Sequence, residues 1–344
     1  MHKLSLFRNF SLRSALGFRF ASALAAAVLF LGSAESRAFE CPLAPEVARN
    51  INTRSVYIDK QASIADPKQE ARNRKIRAPI DQFQKDINRI ADDYYRQPSR
   101  EKLECGQRYL EKWASGRALL GPKVSGNGAL VRFWAAGTIG IAVLKLGLND
   151  TNSSPVLWNW LRDLGAEVEE FINQRKRESN LYYWSGYSLG VMGLVLDDKS
   201  YQDRSRDIFL SSLRDIEADG TLPLELRRGQ RAAIYHAFAA QAIFGLALLH
   251  NANFEELNKG PFGRLVELLK ATATDPSYIA NKVGVKQMRI SEPGWISLYD
   301  SLVAGTSAAD VIDRGNVRCP QILRLGGDLC QLTIMRSGAT PVHR

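Results

Sequence analysis

The sequence has 344 residues, of which 45% are hydrophobic and 24% charged, and its formal net charge is +10. These proportions exclude a disordered chain and a short disulfide-stapled scaffold, and the length allows a large core in one or two domains. The basic excess is diffuse, so it suits an anionic partner without singling out nucleic acid.

Residues 1–38 have the pattern of a secretory leader. Lys3, Arg8, Arg13 and Arg19 precede an uncharged, mostly apolar run over 21–34, and Ser36 and Ala38 supply small residues at the cleavage-defining positions. The run is shorter than the about 20 residues of a spanning helix, so a cleaved signal and no stable membrane anchor are expected. Removing residues 1–38 leaves 41 basic and 35 acidic side chains, a net charge of +6. Cys41, Cys105, Cys319 and Cys330 remain, and an even number in an exported chain points to disulfides. Three pairings are possible; Cys41–Cys105 with Cys319–Cys330 is the expected one. No CxxC or Cys/His spacing suggests a metal site, and His236, His250 and His343 form no ligand cluster.

In chain order, residues 41–64 read as irregular, a lid-like loop or an ordered tail, and 65–77 are highly charged. Pro79 opens a helical pattern (Ile80, Phe83, Ile87, Ile90, Ala91, Tyr94) that ends before Pro98. Residues 101–120 form another. Residues 130–148 are apolar nearly all round, as in an inner helix covered on most sides. Amphipathic 155–175, apolar 180–196, amphipathic 200–218 and apolar 224–250 follow, then 262–273 and 295–302. The tail over 319–334 has β-like pieces. Outer amphipathic helices thus alternate with inner apolar ones across short turns. This predicts an all-α fold, an (α/α) toroid or barrel of antiparallel helix pairs filling residues 39–344, with a plain helical bundle as the alternative.

Residues 224–250 carry the strongest chemical signal. In one helix, Arg228, Arg231 and Tyr235 would share a face. Two guanidiniums beside a phenol would favour its deprotonated form and suit both a general base and a carboxylate grip. The plainer alternative is a basic helix start with Tyr235 as a core aromatic.

The segments LECGQRYLEKWASGRALL (103–120), ALVRFWAAG (129–137), SNLYYWSGYS (179–188), LPLELRRGQRAAIYH (222–236) and RLGGD (324–328), in that order, resemble the mannuronate-specific alginate lyases. The resemblance implies a monomeric periplasmic or secreted α/α-toroid enzyme that cleaves an anionic uronic-acid polysaccharide by β-elimination, without metal or organic cofactor. In that chemistry the C5 proton is acidified only if the adjacent carboxylate is neutralised by aimed donors. By resemblance, Asn180 and Arg228 neutralise it and Tyr235 is base and then acid. Asn180 would otherwise read as an ordinary helix N-cap.

Substrate contacts implied more weakly are Arg54 and Tyr57 of the lid-like loop, which match the family's Arg-Ser-x-Tyr, together with Arg132, Trp134, Arg231 and Arg324. Trp134 reads equally as a core aromatic. Arg231 is expected to lower the Tyr235 pKa. Tyr183, Trp184 and Tyr187 fit either a sugar platform or core packing, and His236 is expected to point away from Tyr235.

The chain departs from the family at Leu181, where the family motif has histidine. In mannuronate and glucuronate the C5 proton and the C4 oxygen lie on one side, so a single tyrosine serves both. Guluronate needs a second base on the other face, for which the histidine is the natural candidate. Leu181 therefore implies preference for mannuronate or glucuronate linkages. It also sustains a second reading, a non-cleaving polyuronate-binding protein of exopolysaccharide assembly. A glycoside hydrolase would need two facing carboxylates, and no pair recommends itself.

Overall fold

The structure, a computed structural model, describes residues 39–149, 154–174, 179–306, 310 and 319–337. The described residues all fall in one compact unit within 39–344. The expected leader lies outside the described residues.

Helix α1 (Pro67–Arg96) is longer than its apolar pattern indicates. It starts at Asp66, whose carboxylate accepts from Lys68 N at 2.9 Å, with Pro67 in the first turn where a missing N–H costs nothing. Pro79 is therefore interior, not a start. Residues 67–78 bury only Asn73, so this arm carries no apolar stripe to reveal it.

Helices α2 (Arg100–Ser115), α4 (Pro155–Asn173) and α6 (Lys199–Arg214) are amphipathic. Ser99 and Asp198 cap α2 and α6. Between them run α3 (Gly126–Leu146), α5 (Ser179–Val195) and α8 (Ala232–Leu249), apolar around their whole circumference and largely buried. Helix α5 packs on α3, α4, α6 and α8, and α1 closes on α3. This layered alternation is the (α/α) toroid. Helices α3 and α8 have the length and composition of membrane spans, but both are mostly buried core helices. A Cβ added at Gly137 or Gly140 of α3 would meet Ser188 or Val191 of α5 at 2.7 and 2.5 Å, so glycine sets that close approach.

The expected single helix over 224–250 is broken. Short α7 (Pro223–Leu226) and a 3-10 turn (Gly229–Arg231) precede α8, and Gly229 has φ 54°, a left-handed conformation that favours glycine. Then come α9 (Phe254–Lys259), α10 (Pro261–Thr274), α11 (Ser277–Val283) and α12 (Ile296–Val303).

The β-like tail is a two-residue hairpin, β1 (Gln321–Ile322) with β2 (Gly327–Asp328), followed by the unforeseen helix α13 (Leu329–Ser337). Cys41–Cys105 ties the N-terminal segment to α2, and Cys319–Cys330 closes the tail, the pairing expected. Tyr187 Oη donates to Leu325 O at 2.9 Å and Thr138 Oγ1 to Leu323 O at 3.0 Å. Buried Lys145 bonds Gly326 O at 2.8 Å and Asp92 at 2.5 Å. The inner helices thus hold the tail that carries Arg324.

Candidate active site

A cavity of about 370 Å³ opens where the N-terminal loop crosses the starts of α5 and α8. Arg54, Arg77, Arg228 and Arg324 line it, and no carboxylate among the described residues does. Tyr57, Trp134, Asn180, Leu181 and Tyr235 complete the walls on which chemistry would depend.

The loop is built by local bonds. Asp59 accepts from Ser63 N and Ile64 N at 2.9 and 2.7 Å, and Ile58 N donates to Ile64 O at 3.1 Å. Asn73 of α1 takes both backbone groups of Arg54, accepting from its N at 3.2 Å and donating to its O at 2.7 Å. The charged arm of α1 therefore positions the loop.

Across the cavity, Tyr57 Oη and Tyr235 Oη share a 2.6 Å hydrogen bond. Arg231 Nε donates to Ser63 O at 2.9 Å, and its guanidinium lies 5.6 Å from the Tyr57 ring centre. Arg231 is absent from the cavity wall; it latches the loop. The expectation that it lowers the Tyr235 pKa fails for this reason. The Arg228 guanidinium does lie 4.6 Å from the Tyr235 ring centre. Burial first, and then the bond that Tyr235 donates to Tyr57, outweigh it and push the phenol above its ordinary value. The resting Tyr235 is neutral.

Asn180 is almost fully buried in the first turn of α5. Its backbone N and its Nδ2 both donate to Glu225 Oε1, at 2.8 and 3.0 Å, so the carboxylate also satisfies a free helix-start N–H. Arg228 Nε donates to the other Glu225 oxygen at 3.4 Å. Glu225, three residues before Arg228 on α7, is thus the buried brace between Asn180 and Arg228. Burial raises its pKa, while the bonds from Asn180 and the Arg228 charge oppose that. Sequence reading missed it, although an acid three residues before an arginine is a recognisable helix pair.

Arg324 covers the aromatic wall, 4.4 Å from the Trp134 ring centre and 5.0 Å from that of Phe238. Burial, reinforced by nearby Arg77, pulls its pKa down to about 10. Arg132 lies elsewhere: it pairs with Glu167 of α4 and does not line the cavity, against expectation. Trp184 and Tyr187 are wholly buried and Tyr183 nearly so, which makes them core and not a sugar platform. His236 is also core; it accepts from Leu222 N at 2.9 Å and pairs with Ala232 O at 2.8 Å.

Arg77 is the second residue missed, because nothing in a charged run marks which cation faces inward. Four buried side-chain atoms of the cavity lining lack a partner: Thr53 Oγ1, Arg77 Nε, Trp134 Nε1 and Asn180 Oδ1. Orphaned buried polar atoms cost about 1–3 kcal/mol each, so the wall is built for a polar occupant. Acid-free and rimmed by arginines, the cavity suits a polyanion, and a neutral phenol beside an Arg/Asn pair suits proton transfer next to a carboxylate.

Residues 50–278 match the family model described as alginate lyase. The chain is 29% identical to a polysaccharide lyase of Stenotrophomonas maltophilia over 312 residues, 88% of this chain and 93% of that one. It is 26% identical to an alginate lyase of Pseudomonas fluorescens over 308 residues, covering 84% and 82% of the two chains. Among solved structures it resembles a histidine-to-alanine variant of alginate lyase A1-III complexed with a tetrasaccharide, with TM-score 0.69, 17% identity and 86% and 85% coverage.

Proposed function

The chain belongs to the alginate lyase family and is a polysaccharide lyase, and from that premise we propose that it cleaves mannuronate or glucuronate linkages of a uronic-acid polymer by β-elimination. The observation that carries the reading is the convergence of Asn180, Arg228 and Tyr235 on an acid-free cavity. Asn180 Nδ2 keeps one N–H beyond its bond to Glu225, and the Arg228 guanidinium keeps its terminal nitrogens. Together they neutralise the carboxylate beside C5. Tyr235 takes the C5 proton, the C–H electrons form the C4=C5 bond, and the C4–O bond breaks. The same phenol returns its proton to the leaving oxygen.

For Tyr235 to act as base, its own proton must first leave. It leaves to solvent, directly or by relay through Tyr57 Oη at 2.6 Å, which passes on its own proton as it accepts, and Arg228 is the charge that favours the phenolate. Leu181 presents an apolar side chain where a second base would stand, which supports syn elimination and disfavours guluronate. The leader-like residues 1–38 and the two disulfides support a periplasmic or secreted location. Leu181 and the raised Tyr235 pKa favour a second reading, a protein that binds the polymer without cutting it.

Ultraviolet absorbance of the C4=C5 bond separates the two. Purified protein is offered polymannuronate, polyguluronate and glucuronan beside a Tyr235→Phe control. Absorbance that rises on the first or third and disappears in the control supports the lyase. Tight binding with no absorbance on any polymer supports the binding protein.

A further inference from the structure

We propose that the substrate cleft continues from the catalytic cavity along α1, where Lys85 and Arg89 bind carboxylates of sugar units remote from the scissile bond. This rests on the polyuronate reading above. A second cavity of about 480 Å³ meets the catalytic one at Arg77, Val131, Trp134 and Arg324. A third, of about 340 Å³, meets the second at Lys85, Gln321 and Leu323. One wall of this path is α1 and the other is the disulfide-closed tail.

Arg77, Asp81, Lys85 and Arg89 recur every four residues on α1, a stripe that turns by only about 40° per step and rises about 18 Å in all. The path therefore has room for several sugar units. Lys85 and Arg89 are exposed, and neither makes an ion pair with a described carboxylate. The neighbouring acids are already engaged. Asp86 accepts from Tyr109 Oη at 2.8 Å, Asp92 holds Lys145, and Asp93 pairs with Arg96 at 3.3 Å. Asp81 is the exception, a carboxyl between Arg77 and Lys85. Burial pushes its pKa up, and the charges of Arg77, Arg324 and Lys85 oppose that. Cations that make no ion pair with a described carboxylate, set in a row along a groove, are the arrangement that a chain of regularly spaced carboxylates would fill.

The test is a Lys85→Ser/Arg89→Ser double variant of the whole protein, with long polymannuronate and short oligomannuronates as probes, and glucuronan if the parent prefers it. The ratio of kcat/KM on long chains to that on short ones should fall about fivefold to tenfold, as expected for losing two exposed ion pairs. The salt dependence of long-chain binding should also weaken. An unaltered ratio in an active enzyme would overturn the extended cleft and leave the lyase reading intact. If the parent cuts nothing, direct binding of long polymannuronate decides. Weaker binding by the double variant than by the parent sustains the cleft while the lyase reading fails, and equal binding overturns the cleft as well.

Discussion

The hydroxyl of Tyr57, on the N-terminal loop, and that of Tyr235, on the first turn of α8, share a 2.6 Å hydrogen bond across the cavity. The loop is held to the same segment by Arg231 and Gln230, whose side chains both donate to Ser63 O. The loop's docking and the protonation of Tyr235 are therefore coupled.

That coupling gives a signed pH prediction. The Tyr57 bond is one of the influences that raise the Tyr235 pKa, second to burial. Tyr57→Phe should shift the rising limb of the kcat/KM–pH profile to lower pH, whereas Tyr235→Phe should abolish turnover at every pH. A limb that stays put in Tyr57→Phe would show that the hydroxyl contact does not tune the base.

Glu225 should matter out of proportion to its distance from the substrate. Glu225→Ala removes the partner of two Asn180 donors and of Arg228, leaving buried groups unpaired, and should lower unfolding free energy by about 2 kcal/mol. Glu225→Gln keeps the shape but not the charge. It should retain most of the stability while kcat falls about tenfold or more, because Asn180 and Arg228 lose their registry. Thermal melts read alongside kcat and KM would distinguish positioning from simple loss of fold.

Acid should unfold the protein through His236 and His250. Burial lowers both pKa values to about 4, from 6.5. A histidine whose folded pKa is depressed contributes stability that is present above its unfolded pKa and is lost as pH falls through the folded one. The window is therefore pH 6.5 down to 4, and each site contributes about 3 kcal/mol across it. For His236 protonation would also cost a hydrogen bond: Nε2 accepts from Leu222 N, and a protonated ring cannot accept. Denaturant midpoints between pH 7 and 4 should fall, with a smaller fall in His250→Gln.

Leu181→His tests the linkage preference. The side chain lines the cavity next to Asn180, so an imidazole there would stand where a second base is needed. The variant should gain absorbance on polyguluronate that the parent lacks. No gain, with mannuronate cleavage intact, would mean that linkage choice lies elsewhere in the cavity.

The sequence by itself determined which helices are inner and which are outer. A segment apolar around its whole circumference, such as α3, α5 or α8, has nowhere to go but the middle. Motif order also marked Asn180, Arg228, Tyr235, Tyr57, Trp134 and Arg324, all of which line one cavity. The start of α1 was illegible because residues 67–78 bury almost nothing, and the break at Gly229 was hidden inside an apolar run.

Among the cations, only tertiary structure could decide. Arg77, Arg132 and Arg231 look alike as local sequence. Yet one faces the cavity, one is held by Glu167 of α4 and one latches the loop at Ser63. Periodicity fixes which face of a helix is buried; what a long charged side chain meets is fixed by a second element, far away in sequence, that packs beside it. Glu225 was unreadable for the same reason. Its partner Asn180 lies 45 residues away, and packing α7 against α5 makes that carboxylate the brace of the site.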